Sequence, residues 1–189
     1  MIFHCLSVPY TPTKKEVSLC AFTQKVYKFC EEMTKRGHTV YHYGHEDSEV
    51  TCTEHITVTN NEILKKSYQD LNIWKTEGFN QSVHTEAVKS FNENCIKELN
   101  NKIKSPNEFI LCWFGFAHEP CVKNFKNKAI IVEPSIGYDS MFAEIKMFET
   151  YSQMHKLQGA SKTNVHFNKE LVVYPGFKKE DFLFKKQKS

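Results

Sequence analysis

IIVEPSIGY, residues 130–138, indicates the fold class of this chain most directly. Its apolar first part is typical of a strand buried on both faces of a parallel sheet, and that strand delivers Glu133 at its carboxyl end. A turn with Pro134 and Gly137 follows. The next run, residues 141–157, is amphipathic and predicts a helix that ends at Gly159. Ligands of α/β folds bind outside the carboxyl ends of parallel strands, so this stretch predicts a site as well as a fold.

The same unit of strand and helix recurs along the chain. Residues 2–8 form an apolar run that predicts the first strand. Thr13 and Glu16 then have the spacing of a capping box, which predicts a helix from Thr13 to Gly37. Further strands are predicted at 39–43, 55–59, 109–113, 129–133 and 171–174, and further helices at 83–103 and 120–125. This alternation predicts an α/β fold, a Rossmann-like three-layer sandwich around a mainly parallel sheet.

Basic charge is concentrated in the last residues of the chain. The formal net charge of the 189 residues is +3. Residues 178–189 hold five lysines against two acidic residues, so residues 1–177 are neutral overall. A protein that binds nucleic acid is expected to carry positive charge on its folded body, so this pattern argues against a nucleic-acid partner. We therefore expect one Rossmann-like domain over 1–177, followed by a basic linker or tail over 178–189.

Seven cysteines are scattered through the chain without the CxxC spacing of a zinc site. Several fall within apolar patterns, where a free thiol behaves as a small hydrophobic group. They predict reduced core thiols and a cytoplasmic location. The first ten residues lack the charged segment and the long apolar run of a signal peptide, and no apolar run is long enough to predict a transmembrane segment.

Three candidate substrate-binding residues lie in the loop after the first predicted strand. Tyr10, Thr11 and Thr13 are polar groups between the carboxyl end of a strand and the amino end of a helix, where free N–H groups favour an anion or a sugar hydroxyl. Thr13 has an alternative, purely structural role as the helix cap. No capping role accounts for Tyr10 or Thr11.

Two candidate catalytic residues, His42 and Glu133, lie in other predicted strands. Either His42 or its neighbour His45 could point into the cleft as a base or a hydrogen-bond donor, and the alternative is an exposed loop histidine. The string from His42 through His45 to Glu46 straddles Gly44 at a strand end, so it lacks the helical spacing of a zinc site and no metal is expected. Glu133 ends an apolar strand, and its carboxylate either faces a wet cleft or caps nearby backbone N–H groups.

Gly137 and Tyr138 complete the candidate substrate-binding set. A glycine allows a backbone conformation that other residues resist. The aromatic face of Tyr138, with its polar tip, suits a sugar ring. Both residues follow Glu133 closely, so we expect one edge of the sheet to present all three.

Several segments together resemble the amino-terminal half of a GT-B glycosyltransferase, of the kind grouped with glycosyltransferase family 4. The most specific segment is 132–138 (VEPSIGY), with the helix predicted after it. The other matching segments are 7–13 (SVPYTPT), 36–40 (RGHTV), 42–44 (HYG), 148–151 (FETY) and 154–155 (MH). The resemblance covers most of residues 1–177.

The resemblance implies a role in sugar transfer. In that family the amino-terminal domain usually holds the acceptor, and the carboxy-terminal domain binds the nucleotide sugar. For this chain the resemblance implies a saccharide or glycoconjugate acceptor, a nucleotide-sugar donor, no cofactor and no metal. The donor-binding domain is then expected in cis or in trans. His42 and Glu133 would be the catalytic residues, and substrate would be bound by Tyr10, Thr11, Thr13, Gly137 and Tyr138.

Two other interpretations stay open. The chain could be a non-catalytic module, a lone domain that binds a glycan or a partner. It could also be a small flavodoxin-like enzyme with a complete site of its own. Tight binding of a nucleotide sugar by these residues alone would favour the flavodoxin-like enzyme.

Overall fold

The computed structural model describes residues 1–68, 71, 82–160 and 169–176 of the chain. Its strands are β1 (Ile2–Leu6), β2 (Thr39–His45), β3 (Glu54–Thr59), β4 (Phe109–Cys112), β5 (Ile130–Ile136), β6 (Ile145–Phe148) and β7 (Glu170–Val172). Its helices are α1 (Ala21–Lys35), α2 (Asn61–Lys65), α3 (Glu86–Lys102), α4 (Glu119–Val122) and α5 (Tyr151–Ala160), with 3-10 turns at Gly115–His118 and Lys123–Phe125. The basic tail predicted at 178–189 lies outside the described residues.

The seven strands form one sheet in the order β3-β2-β1-β4-β5-β6-β7, and every neighbouring pair is parallel. The predicted fold class is therefore confirmed: the protein is an α/β, Rossmann-like three-layer sandwich. The strand order reverses between β1 and β4, which are neighbours at the centre of the sheet. Such a switch point opens a crevice at the carboxyl edge of the strands, where doubly wound folds bind ligands.

Helices cover both faces of the sheet, and successive residues of each strand point to opposite faces. On one face Cys5 of β1 belongs to the same cluster as Val26 of α1. On the other face Leu6 of β1 belongs to the same cluster as Phe91 of α3. The central strands are apolar on both faces for this reason. None of the described helices is both long enough and apolar enough to cross a membrane.

Helix α1 begins at Ala21, later than the capping-box pattern predicts, and Cys20 precedes it without a side-chain cap. The Thr13 N–H donates to Ser48 Oγ (3.0 Å), and the Thr13 carbonyl accepts from the N–H of Glu49 (3.0 Å). The predicted helical cap at Thr13 is therefore wrong. Hydrogen bonds to the segment after β2 hold this part of the chain in a loop, and they replace the local bonds of a first helical turn.

The helix predicted at 141–159 is wrong in its first half, because Ile145–Phe148 form β6 and only Tyr151–Ala160 are helical. The three-residue spacing of apolar residues there fits a helix. A two-residue alternation is present as well, since Ile145 and Met147 pack on the α1 side of the sheet and Phe148 packs in a different cluster. Pairing with β5 and β7 decides between the two patterns, and local sequence does not report on that pairing.

Candidate functional site

The loop between β1 and α1, residues 7–20, borders the crevice at the switch point. It contains no glycine, whereas the dinucleotide fingerprint needs glycines there so that the backbone can approach a pyrophosphate. Instead, Val8 and Tyr10 pack with Leu64, Tyr68 and Ala87 in an apolar cluster. The first part of the loop therefore packs into the core, and the loop does not provide a phosphate cradle of this type.

Tyr10 and Thr11 are buried, with exposed fractions of 1% and 0%. The Tyr10 ring meets Phe114 edge-on with the centroids 5.2 Å apart, and burial raises the pKa of the Tyr10 hydroxyl. Thr11 Oγ1 is hydrogen-bonded to Thr23 Oγ1 of α1 at 2.7 Å. Both side chains fasten the loop to its surroundings, so a ligand at the surface would not touch them.

His42 and Thr13 form a buried polar contact between β2 and the same loop. His42 Nε2 lies 2.9 Å from Thr13 Oγ1, and His42 Nδ1 lies 2.9 Å from Nδ1 of His55 on β3. Burial, and then the neighbouring His55, lower the pKa of His42 to about 3, so its imidazole is neutral at physiological pH. A fully buried imidazole with both nitrogens engaged holds the loop and is not placed to meet a substrate.

The structure does not bring the two predicted catalytic residues together. β1 and β4 separate β2 from β5, so the backbones that carry His42 and Glu133 are about 14 Å apart across three strand spacings. The two side chains also lie on opposite faces of the sheet. His42 lies two residues after Val40, so it shares the face of the sheet on which Val40 packs against α1. Glu133 lies one residue after Val132, which packs on that α1 face, so Glu133 points to the other face.

Glu133 anchors the turn that follows β5. Its Oε2 accepts hydrogen bonds from the N–H groups of Phe142 and Ala143, both at 2.8 Å, and its Oε1 accepts from the Tyr138 hydroxyl at 3.1 Å. Burial raises the pKa of the Glu133 carboxyl, and these three donors oppose that rise. Because the side chain is fully buried, Glu133 caps backbone N–H groups, the second of the two roles that its sequence position allows.

The unusual backbone conformation in this turn belongs to Ser135 and not to Gly137. Ser135 has a φ of 61°, in the left-handed region that residues with a side chain rarely adopt. The pairing of β5 with β6 shifts register between Glu133 and Ile136, and this bulge contains Ser135. Gly137, which could have adopted such a conformation, does not, and Ser135 in the bulge does. Gly137 is exposed, and a Cβ there would lie 3.6 Å from the carboxyl carbon of Glu149.

Tyr138 lies against the loop that follows β4. A Cβ at Gly115 would be 2.6 Å from the Tyr138 ring, and Gly115 has a φ of 57°. The close approach and the left-handed backbone both require glycine at position 115. The Tyr138 hydroxyl is bound to Glu133, while its half-buried ring lies 6.1 Å from the ring of Phe22 of α1, centroid to centroid. Of the two tyrosines predicted to bind substrate, Tyr138 is therefore the one close to the surface, whereas Tyr10 is buried.

A polar contact beside this turn completes the candidate site. The Lys25 ammonium of α1 forms an ion pair with Oε1 of Glu149, which follows β6, and Ser135 Oγ donates to the same oxygen at 2.9 Å. The side chains of Lys25 and Glu149 are 22% and 24% exposed, so both reach solvent without being fully hydrated. We call Lys25, Ser135, Gly137, Tyr138 and Glu149 the edge cluster.

Sequence reasoning missed Lys25 and Ser135. Lys25 lies 124 residues from Glu149 along the chain, and no local pattern predicts that contact. Ser135 lies two residues before Gly137, and sequence alone favours the glycine over the serine for a left-handed backbone conformation. The sequence signal that could have pointed to this site was Glu149, a carboxylate directly after the mainly apolar segment 145–148.

The edge cluster offers a carboxylate, an ammonium group, a hydroxyl and an aromatic face, with a formal net charge of zero. In the part of the chain that the structure describes, no group of three or more His, Cys, Asp or Glu residues could hold a metal ion.

No family model, curated protein or solved structure matches this chain. The fold class rests on the topology of the sheet. Because one fold hosts many activities, function has to be argued from the edge cluster.

Proposed function

We propose that this chain is a Rossmann-like domain that binds a saccharide at its carboxyl edge, as the acceptor side of a GT-B glycosyltransferase of the family 4 type. The complete enzyme would move a sugar from a nucleotide-sugar donor to a saccharide or glycoconjugate acceptor, without a metal. A donor-binding domain would act in cis or in trans. The observation that carries the proposal is the edge cluster, where residues of α1 and residues that follow β5 and β6 meet at the carboxyl edge of the sheet.

The chemistry of the edge cluster suits a neutral, hydroxyl-rich ligand. Glu149 can accept hydrogen bonds from sugar hydroxyls, and Lys25 can donate to sugar oxygens. The Tyr138 ring provides an amphipathic aromatic face beside them. Since the charges of Lys25 and Glu149 cancel, the edge cluster has no excess of positive charge for a phosphate. Together with the glycine-free loop at 7–20, this favours an acceptor sugar over a nucleotide.

One observation favours the second candidate, a non-catalytic glycan-binding module. His42 and Glu133, the two groups predicted to be catalytic, are fully buried and hydrogen-bonded within the protein. In our proposal Glu133 is a positioning residue that holds the turn for Tyr138, and the chemistry of transfer takes place with groups of the donor side. The seven free thiols of the chain support a cytoplasmic setting for either function.

An NMR titration with saccharides, followed at the amides around Gly137, tests the proposal. A panel of methyl glycosides of glucose, galactose and mannose is titrated into the ¹⁵N-labelled protein, with UDP-glucose and GDP-mannose as the nucleotide sugars. We expect saturable shifts of the amides of residues 135–138 and of Glu149 with at least one glycoside. We expect no tight binding of either nucleotide sugar, because the donor side is a separate domain.

The same substitution at a remote glycine provides the control. Gly137→Trp should abolish binding by covering the edge cluster, whereas Gly159→Trp in α5, where a Cβ meets nothing within 4 Å, should leave binding unchanged. Absence of saccharide binding, or equal binding by Gly137→Trp, would refute the proposal. Tight nucleotide-sugar binding would instead favour the flavodoxin-like enzyme. A coding sequence that continues past Ser189 into a second βαβ domain with a glycine-rich loop would favour the glycosyltransferase over the lone module.

A further inference from the structure

The backbone at Ser135 is strained in a way that a glycine would relieve. Its φ of 61° brings the Cβ of an L-residue close to the neighbouring carbonyl oxygen, and glycine has no Cβ. The strain lies in the β-bulge between Glu133 and Ile136, at the carboxyl edge of the sheet. Strained residues that the fold maintains are concentrated at binding and catalytic sites, so the side chain at this position calls for a function.

The Ser135 hydroxyl is aimed at Glu149. It donates to Glu149 Oε1 at 2.9 Å, and the Lys25 ammonium is paired with the same oxygen. Both donors use Oε1, so among the described residues Oε2 is left to accept hydrogen bonds from a ligand. The Ser135 oxygen, which uses its proton on Glu149, keeps its lone pairs for a second donor. Two acceptors thus lie side by side, and the Lys25 ammonium stands next to them.

Access to these acceptors depends on Gly137. The residue is exposed, and a Cβ built on it would lie 3.6 Å from Oε2 of Glu149. A larger side chain at position 137 would stand over the carboxylate, whereas glycine leaves the space above it to a ligand. Lys25 and Glu149 are each about three-quarters covered, so their hydrogen bonds to a ligand compete with little water.

We infer that Ser135 and Glu149 form a subsite that reads a pair of neighbouring hydroxyl groups on a neutral sugar, with Lys25 holding Glu149 in position. The inference rests on the proposed function and adds to it the ligand specificity of the site. Two adjacent acceptors match two adjacent O–H donors, which is the arrangement of a vicinal diol. The subsite therefore selects sugars by hydroxyl pattern and not by charge.

The test separates stability from binding at Ser135. Ser135→Gly should raise the melting temperature by about 3 °C, since it relieves the strained backbone, and should weaken binding of the preferred methyl glycoside at least tenfold. Ser135→Ala keeps the strain and removes the hydroxyl, so it should weaken binding without raising the melting temperature. Glu149→Gln should also weaken binding, while Glu49→Gln, which breaks the remote surface ion pair with Lys14, should not.

Monodeoxy analogues of the same glycoside identify the hydroxyls. The analogue that lacks a recognised hydroxyl should bind the wild type at least tenfold more weakly than the parent sugar, and Ser135→Gly should bind both sugars alike. If Ser135→Gly and Ser135→Ala bind the parent glycoside within twofold of the wild type, the subsite is refuted while the saccharide-binding proposal stands. If the wild type binds no glycoside of the panel, the proposed function itself fails.

Discussion

At the scale of single residues, the positions with the least freedom lie next to the switch point. Gly44 in β2 faces the His42 ring and Ser7, and a Cβ on Gly44 would lie 2.4 Å from His42 Cε1 and 2.9 Å from Ser7 Oγ. The ring cannot simply rotate away, because its two nitrogens are held by Thr13 and His55. Position 44 therefore requires glycine, because moving the His42 ring would break its hydrogen bonds.

We expect Gly44→Ala to lower the free energy of unfolding by about 2 kcal/mol, because the added methyl group overpacks this site. Urea unfolding followed by circular dichroism measures the change. The matched control is Gly159→Ala in α5, where a Cβ meets nothing within 4 Å. That substitution should instead stabilise the protein by up to about 1 kcal/mol through helix propensity. Equal effects at the two positions would contradict the predicted crowding at Gly44.

At the scale of secondary-structure elements, two buried imidazoles fasten the β1–α1 loop, one from strand β2 and one from the 3-10 turn after β4. His42 of β2 contacts Thr13, and Nε2–H of His118 donates to the carbonyl of Ser7 at 3.0 Å. Burial lowers the pKa of both histidines to about 3. The loop thus depends on neutral imidazoles, and its attachment is sensitive to acid.

Part of the pH dependence of stability follows from these two histidines, and burial also lowers the pKa of His4, His45 and His55. In the unfolded chain a histidine titrates near 6.5, so between about pH 6.5 and 3 the unfolded state binds more protons than the folded state. The free energy of unfolding should therefore fall as the pH falls, by about 2 kcal/mol for each histidine between pH 7 and pH 5. Urea titrations at pH 7, 6 and 5 measure the loss.

The variant His118→Gln should show a loss about 2 kcal/mol smaller than the wild type over the same interval, because one buried imidazole is gone. His84→Gln, at an exposed histidine, should keep the pH dependence of the wild type. If His118→Gln lost as much stability as the wild type between pH 7 and pH 5, His118 would not be a buried neutral group in the folded protein.

At the scale of the whole molecule, the two-faced core determines which thiols solvent can reach. Five cysteines are buried in the clusters on the two faces of the sheet: Cys5, Cys30, Cys95, Cys112 and Cys121. Cys20, before α1, and Cys52, before β3, are only partly covered. Burial raises the pKa of Cys52 to about 11, which leaves little reactive thiolate at neutral pH.

Titration with an aromatic disulfide reagent should therefore label at most two thiols of the native protein, with Cys20 faster than Cys52, and all seven in denaturant. Cys20→Ser should remove the fast phase and leave the slow one. More than two labelled thiols in the native protein would contradict the two-faced core. Fewer than seven in denaturant without reductant would show that a disulfide had formed, against the free thiols of the structure.

The class of the fold could be predicted from the amino-acid sequence alone. Apolar runs such as 130–132 identify strands buried on two faces, and their alternation with helical patterns predicts a parallel sheet with helices on both sides. These signals are local hydrophobic periodicities, so each can be recognised within a single segment of the sequence. The end of this strand was predicted at Glu133, but β5 continues to Ile136 because it pairs with β6 there. The capping role of Glu133 was one of the two roles that its sequence position allowed.

Contacts between segments distant in sequence settle which polar residues are buried and which reach solvent. Tyr10, Thr11 and Thr13 follow a strand and His42 lies in one, yet all four are buried by packing between segments distant in sequence. The β6 strand emerged from a helical pattern because β5 and β7 pair with it, and the bulge moved the left-handed conformation to Ser135. Lys25 meets Glu149 across 124 residues. Hydrogen bonds of this range depend on the assembled sheet, and no periodicity of the chain encodes them.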